Sequence, residues 1–433
     1  MLINLHMNAD GLNIDLKKFA LPLIISRFNC LCNAESGGSL LSTSSNLALK
    51  ESLKRLAPIT ISREAVRKRM NACFVVLLKT LIELALKVKA FNASSVNEAP
   101  ASPLFGPFAN VYLEDSTTFS LPDALFKFFP GNYSRGIRKA VARLNLILEL
   151  KQFKVLEFDL KSYTENDQAA AGNIVTHLKP SDLVIRDLGY AVLKDFKAII
   201  GKSAHFLSRK KYGIDVFCVQ SGKKINLLKL LQKKGSLDIE IELGGKARVP
   251  CRLVAIKLPK EVVNERIRKA RKHRNASTNH SQEYFKMLEW AIFVTSVPKE
   301  TWSQEEVALA YQVRWQIEIV FKSWKSHLNI LKLRKKGLKC PHAVRARIYC
   351  ALLFILLYIT PMYRRWRWKC YQETGKHLSL IKLTKFINEN FSTIMNAENM
   401  DNFEKIVFYC CSYEKRPKRM NLAQKYLDEE FMA

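Results

Sequence analysis

Three acidic residues stand in settings where a carboxylate can do work: Asp115 in Val111-Tyr-Leu-Glu-Asp-Ser-Thr-Thr-Phe119, Asp187 at the end of Asp182-Leu-Val-Ile-Arg-Asp187, and Glu318 in a helical stretch shared with Tyr311, Arg314 and Lys325. A carboxylate at the end of a buried strand is costly unless a cation or a hydrogen-bond network claims it, so two such ends on one sheet can face a shared metal site. Each taken alone also fits the ordinary duty of a strand-end Asp, capping the helix that follows. Tyr311, Arg314, Glu318 and Lys325 fall at i, i+3, i+7 and i+14. At about 100° per residue this spacing sets all four within roughly 60° of arc. Opposite them lie Val313, Ile317, Val320, Phe321, Trp324 and Leu328, so the helix is expected to pack by its back and present Glu318 among cations at its front. A surface helix with i, i+4 charge pairs has the same pattern. Arg314 and Glu318 at that spacing equally suit a phosphate clamp beside a metal ligand.

The elements that must position these groups follow from periodicity. Residues 1–100 read as helical, most clearly in Thr60-Ile-Ser-Arg-Glu-Ala-Val-Arg-Lys-Arg-Met70 and the apolar-periodic run Phe74–Val88. Ser62 can cap a helix whose exposed face carries Arg63, Arg67, Lys68 and Arg69. That face suits phosphates or a major groove, and it suits a solvated basic helix in a bundle just as well. Asn92–Pro107 reads as a linker. Strands are predicted over Asn110–Leu121, Arg143–Lys154 and Val155–Tyr163, a helix over Asn166–Leu178, a buried strand over Asp182–Asp187, a helix over Val192–Ile200 and a strand over Ala204–Ser208. That order is mixed α/β. Residues 101–214 are thus the first part of a core, and 215–297 a β-rich inserted subdomain turning at Gly244-Gly245 and ending in an apolar strand after Tyr284. Residues 298–345 hold one long helix starting at Ser303, with Glu305 and Glu306 in its first turn as the dipole prefers. Residues 346–433 are expected to form a helical C-terminal region that serves dimerisation.

The chain of 433 residues is 48% hydrophobic and carries 70 Lys and Arg against 39 Asp and Glu, a formal +31. That excess calls for a polyanion. Because the basic residues, including Arg266–Arg274 and Arg334-Lys335-Lys336, are spread along the chain, nucleic acid fits better than a membrane surface. The ten cysteines form no C-x-x-C pair and no zinc-ligand spacing with His, so they are expected to be buried free thiols. No secretory signal pattern opens the sequence, and the expected compartment is the cytoplasm. Ile348–Tyr363 is apolar but flanked by Arg345, Arg347, Arg364, Arg365 and Arg367. It falls short of the roughly 20 residues that a membrane span needs and reads as a buried core helix.

Tyr311-x-x-Arg314-x-x-x-Glu318-x-x-x-x-x-x-Lys325 resembles the signature of bacterial insertion-sequence transposases of the IS-four type, a branch of the DDE transposases. Asp115-Ser-Thr-Thr, Asp187-Leu-Gly-Tyr, the insertion before the glutamate, Trp302-Ser303 and Ser62-Arg-Glu-Ala-Val-Arg-Lys-Arg69 extend the resemblance over roughly residues 50–340. It implies a ribonuclease H-like mixed α/β sheet core with an inserted β-rich subdomain and an α-helical N-terminal DNA-recognition domain. It further implies Asp115, Asp187 and Glu318 as catalytic residues and metal ligands for two Mg²⁺ ions, with Mn²⁺ able to substitute. Asp115 would bridge both ions, Asp187 hold one and Glu318 the other, promoting in-line attack on a phosphodiester. Tyr311, Arg314, Lys325, Arg63, Arg67 and Lys68 would bind DNA, and Trp290 would stack a base flipped out near the element terminus. A core position for Trp290 beside Phe293 is the competing reading. The expected partners are double-stranded DNA, both terminal inverted repeats and target, with a homodimer in the synaptic complex and no membrane. Two other functions share these acids or this charge: a ribonuclease H-like nuclease without strand transfer, and a non-catalytic DNA-binding derivative.

Overall fold

The computed structural model describes residue 68 and residues 70–87, 104–134, 137–164, 173–272, 281–327, 339–395 and 400–413. The strands are β1 (Val111–Ser120), β2 (Pro130–Ser134), β3 (Ile137–Glu149), β4 (Lys154–Ser162), β5 (Leu183–Arg186), β6 (His205–Arg209), β7 (Val216–Cys218), β8 (Leu237–Leu243), β9 (Val249–Lys257) and β10 (Trp290–Thr295). They form one mixed sheet in the order β2-β3-β1-β5-β6-β10-β9-β8-β7, with β4 also on β3. β1, β5 and β6 run parallel to one another, and the remaining pairings are antiparallel.

Alternation along the central strands sends apolar side chains to both faces, as a sheet covered on two sides requires. Val111, Leu113, Leu183, Ile185 and Leu207 face one core. That core is closed by α1 (Ala72–Lys87), α6 (Gln304–Gln312), α7 (Trp315–His327), α8 (Pro341–Phe354), α9 (Thr360–Thr374), α10 (Leu380–Met395) and α11 (Met400–Cys411). Tyr112, Val184 and Phe206 face a second core with α2 (Leu193–Gly201) and α3 (Leu227–Lys234). Two further helices, α4 (Lys260–Lys272) and α5 (Gln282–Met287), lie between β9 and β10.

Several sequence expectations need correction. The residues read as an inserted subdomain do not make a sheet of their own, because β10 pairs with β6 on one side and β9 on the other and so continues the central sheet out to β7. The long helix from Ser303 is two helices, α6 and α7, separated at Val313-Arg314 by a tighter turn. There the N–H groups of Val313, Arg314, Gln316 and Ile317 each bond the carbonyl three residues back, as in a 3₁₀ turn. Within the expected Asn166–Leu178 helix, the described residues form only a 3₁₀ turn at Asn173–Thr176. β2 was not foreseen. Of the eight cysteines among the described residues, Cys251, Cys350, Cys370 and Cys411 are buried, whereas Cys73, Cys340 and Cys410 are exposed.

The apolar stretch at 348–363 lies inside a continuous helical run, Pro341–Thr374. By length and composition this run is apolar enough to cross a membrane, yet 72% of its most apolar window is buried within the protein, the condition of a core helix. A π-helical turn at Ile355–Ile359 interrupts it just ahead of Pro361, whose ring and missing N–H a regular α-helix would not accommodate.

Candidate active site

The helix pair α6–α7 is fixed to the sheet before it reaches the acids. Trp302 is fully buried, its indole N–H donating to the Leu104 carbonyl at 2.8 Å, its ring set edge-on against Phe105 and Phe108. Arg252 of β9 makes a two-pronged bond to Asp238 of β8, 2.7 Å on each prong, and donates to the Trp302 carbonyl at 2.8 Å. Ser303 then starts α6 with a reciprocal cap: its hydroxyl accepts the Glu306 N–H, and the Glu306 carboxylate accepts the Ser303 N–H. The Gln304 side-chain amide donates to the Ala255 carbonyl on β9. The start of the helix is thereby tied to β8 and β9 and to the segment ahead of β1.

Parallel pairing of β1 with β5 sets Val111 beside Leu183 and Glu114 beside Arg186, so Asp115, which lies within β1 and not at a strand end, and Asp187, just past β5, stand side by side on the face covered by α6 and α7. Arg314, at the break between those helices, gathers the acids. Its Nη1 donates to Asp115 Oδ2 at 3.2 Å, its Nη2 to Glu318 Oε1 at 2.5 Å, and its Nε lies 4.0 Å from Asp187 Oδ1. The Tyr311 hydroxyl donates to Asp187 Oδ1 at 3.2 Å while its ring rests on Phe293 of β10. The second oxygen of Asp115 accepts the Ser116 N–H at 2.7 Å.

The charges press on one another. Burial pushes the Asp115 carboxyl up to about 6, opposed by the Ser116 N–H and Arg314 and reinforced by the charges of Asp187 and Glu318. Burial works against the Arg314 charge too, but Tyr311 and the three carboxylates more than offset it and hold the guanidinium above its ordinary value. Burial, and then Asp187, also raise the Tyr311 hydroxyl, so it stays protonated and remains a donor.

Among the described residues, no three acids, histidines or cysteines are spaced to grip a metal ion as they stand. The acids are spaced instead around a guanidinium, which acts as their stand-in cation. The donor set is all hard carboxylate oxygen, with more negative charge than one cation neutralises, and this suits a divalent ion of the Mg²⁺ class. Accepting one requires Arg314 to release carboxylate.

Of the residues singled out in the sequence, Asp115, Asp187, Tyr311, Arg314 and Glu318 come together. Lys325 lies two turns along α7, its ammonium 5.6 Å from the ring centre of Phe119 on β1, and burial lowers its pKa. The apolar back is as expected: Val313 at the break and Ile317, Val320, Phe321 and Trp324 of α7 are all in the first core, and Leu328 lies outside the described residues. Trp290 is not at the site. It is 4% exposed within the second core and its indole N–H donates to the Gly235 carbonyl, so neither face of its ring is open to a base. Lys68 is exposed. Arg63 and Arg67, and the basic run at 334–336, lie outside the described residues. The sequence reading passed over Trp315. It follows Arg314, precedes Glu318 by one turn and is 52% exposed, and its signal was simply an aromatic on the Glu318 face of the helix.

Comparison with known proteins matches residues 106–357 to the family described as "Transposase DDE domain". The transposase for insertion sequence element IS231F of Bacillus thuringiensis subsp. israelensis is 26% identical over 368 residues, covering 80% of this chain and 75% of that protein. The transposase for insertion sequence element IS1151 of Clostridium perfringens is 24% identical over 301 residues, covering 64% of this chain and 62% of that protein. Among solved structures, a piggyBac transposase synaptic complex with hairpin DNA aligns over 96% of this chain and 80% of that chain, with a TM-score of 0.42 and 9% identity.

Proposed function

The chain belongs to the transposase DDE domain family, and on that premise we propose that Asp115, Asp187 and Glu318 are the acids with which it cuts and rejoins DNA. It is a DNA transposase of an insertion-sequence family, an enzyme that cleaves and transfers DNA strands with the help of divalent metal. The observation that carries the residue assignment is the convergence of three acids, distant in sequence, on the single Arg314 guanidinium.

In this reading the core is ribonuclease H-like and the metal is Mg²⁺. Asp115, Asp187 and Glu318 would together hold the divalent ions, for which Mn²⁺ would be an acceptable substitute. When bound, such ions supply the positive charge that activates the attacking oxygen and steadies the leaving one. The chain's own residues do the rest. Arg314 passes from the carboxylates to a phosphate oxygen of the scissile region, a two-pronged contact that a guanidinium makes well. Tyr311 keeps Asp187 oriented through its hydroxyl. Lys325 and the basic helix α4 hold the backbone on either side, with Lys68, Arg63 and Arg67 contributing at the N-terminal region. Pairing of two element ends by a homodimer, with terminal inverted repeats as the bound sequence, rests on the family resemblance.

Full-length protein incubated with a donor bearing the inverted repeats that flank its coding region, a supercoiled target and Mg²⁺ is expected to give joined insertion products. Nicks or end cleavage without joining would favour the nuclease reading.

With Trp290 in the core, an exposed aromatic ring one turn from Glu318 on α7 is that of Trp315, and every base has a face that can stack on it. Trp315→Ala is expected to lower end cleavage by about 10- to 100-fold, the equivalent of about 1–3 kcal/mol of stacking. The fluorescence rise of a base analogue near the element terminus should be lost with it. An unchanged fluorescence response in Trp315→Ala would remove the residue from the site.

A further inference from the structure

Each acid on the sheet ends a matching five-residue string, three apolar residues and a charged one before it: Val111-Tyr-Leu-Glu-Asp115 and Leu183-Val-Ile-Arg-Asp187. β1 and β5 run parallel with these strings in step, Glu114 opposite Arg186. Since side chains alternate across a strand, Asp115 and Asp187 go to the α6–α7 face, while Glu114 and Arg186 go through to the other. There Arg186 Nη2 lies 2.8 Å from Glu114 Oε2, with the two side chains 0% and 3% exposed. Arg186 Nη1 lies 3.9 Å from Asp195 Oδ2 on α2, the helix that follows Asp187. Glu157 of β4 stands in the same cross-strand row, through Ile147 of β3, and is bonded by His177.

A sealed ion pair is a poor device for stability alone, because an apolar pair of similar volume commonly does as well or better. What it supplies is geometry. It bonds across the junction of two strands at the position just before each acid, and one residue of slip would break it and send the acids to the wrong face. We propose that Glu114, Arg186 and Asp195 are positioning residues that, from the back of the sheet, set the separation of Asp115 and Asp187 and so the affinity of the acid centre for divalent cation. This rests on the assignment of Asp115 and Asp187 as ion-holding acids.

The test uses full-length protein, Mn²⁺ as the probe read by loss of its free electron-resonance signal, melting temperature, binding of the element end and single-turnover cleavage. Glu114→Leu combined with Arg186→Met replaces the pair by an apolar contact, and Arg186→Lys keeps the charge but loses the planar fork. Both are expected to melt and to bind the end as the parent does. Mn²⁺ affinity and cleavage should fall by about 10- to 100-fold, the usual effect of removing an outer partner of a metal ligand. A folded double variant with parental Mn²⁺ affinity and cleavage would overturn the proposal. Should the double variant not fold, Arg186→Lys decides alone: weakened Mn²⁺ binding at unchanged end binding upholds the role, and parental Mn²⁺ binding rejects it. Asp187→Asn serves as the control. If it binds Mn²⁺ like the parent, the acid assignment falls and takes the positioning role with it; if it loses Mn²⁺ while the Glu114 and Arg186 variants keep it, only the positioning role falls.

Discussion

Replacing Asp115 by Asn is expected to slow strand cleavage by about 10³-fold or more, several kcal/mol of lost transition-state stabilisation, while specific binding of the element end stays at the parental level. Asp187→Asn and Glu318→Gln should behave alike. The argument rests on what the amide keeps and what it loses. Asn at 115 can still accept the Ser116 N–H, and Gln at 318 can still accept from Arg314, so the local structure survives. What disappears is the negative charge, and with it the capacity to hold a divalent ion at the reacting phosphate. Each acid comes from a different element, β1, the end of β5 and α7, so none can stand in for another. Single-turnover cleavage with Mg²⁺ and then with Mn²⁺ measures the loss. Robust cutting by any one of the three variants would remove that residue from the centre.

Arg314→Ala is expected to cost about 10²- to 10³-fold in cleavage, the range for deleting one preorganised charge-stabilising donor. It should also make the fold depend on metal. In the parent, Asp115 is raised from 3.8 to about 6, by burial first and by Asp187 and Glu318 after, against the pull of Ser116 and Arg314. A carboxyl that keeps its proton more tightly folded than unfolded takes stability away as pH climbs through that interval, and leaves stability untouched below it. Without Arg314 one of the two opposing pulls is gone, so the interval reaches further up. The metal-free variant then loses more stability near neutral pH than the parent does. Divalent ions that bind the folded acids restore it by mass action. Melting curves from acid to neutral pH, with chelator and with Mg²⁺, should show a steeper decline for Arg314→Ala in chelator and a larger rescue by Mg²⁺. Parallel curves for the two proteins would mean that the guanidinium does not compensate the carboxylates. Arg314→Lys should rescue poorly, since an ammonium cannot reach Asp115 and Glu318 with two separate prongs.

The acids were legible in the sequence because each sits where local pattern is strongest. Leu183–Ile185 is a short apolar run bounded by charges, which suits a buried strand, and the spacing of Tyr311, Arg314 and Glu318 selects one helical face even though the helix is broken between them. The break itself left no mark, since Val313 and Arg314 carry neither the freedom of Gly nor the block of Pro. For Trp290 the core reading is the one that fits: an aromatic at a given separation from Glu318 says nothing of its burial, which comes from packing in the second core, where its indole N–H donates to the Gly235 carbonyl from far upstream. β2 hid behind its composition. Pro130-Gly131-Asn132 reads as a turn, but Pro is tolerated at the start of an edge strand, and Gly131 is required because a side chain there would lie 2.5 Å from the Lys139 carbonyl. Sheet continuity through β10 was out of reach, because which strand a buried apolar run pairs with is a long-range choice. The ion pair behind the acids was written plainly, a lone charge closing each apolar run, but its meaning needed the parallel register of β1 and β5.

That unbroken sheet makes the molecule a ruler. The basic helix α4, none of whose residues is buried, leaves directly from β9 and is pinned to the β10 backbone by Arg266. β10 is two strands from β5, whose end carries Asp187. A tethered module would let the span between a basic grip and the acid cluster drift with the slack of its linkers. If α4 grips the duplex and Asp187 helps to cut it, as proposed, a single slab holds that span constant and the distance from grip to cut is counted off in strand spacings.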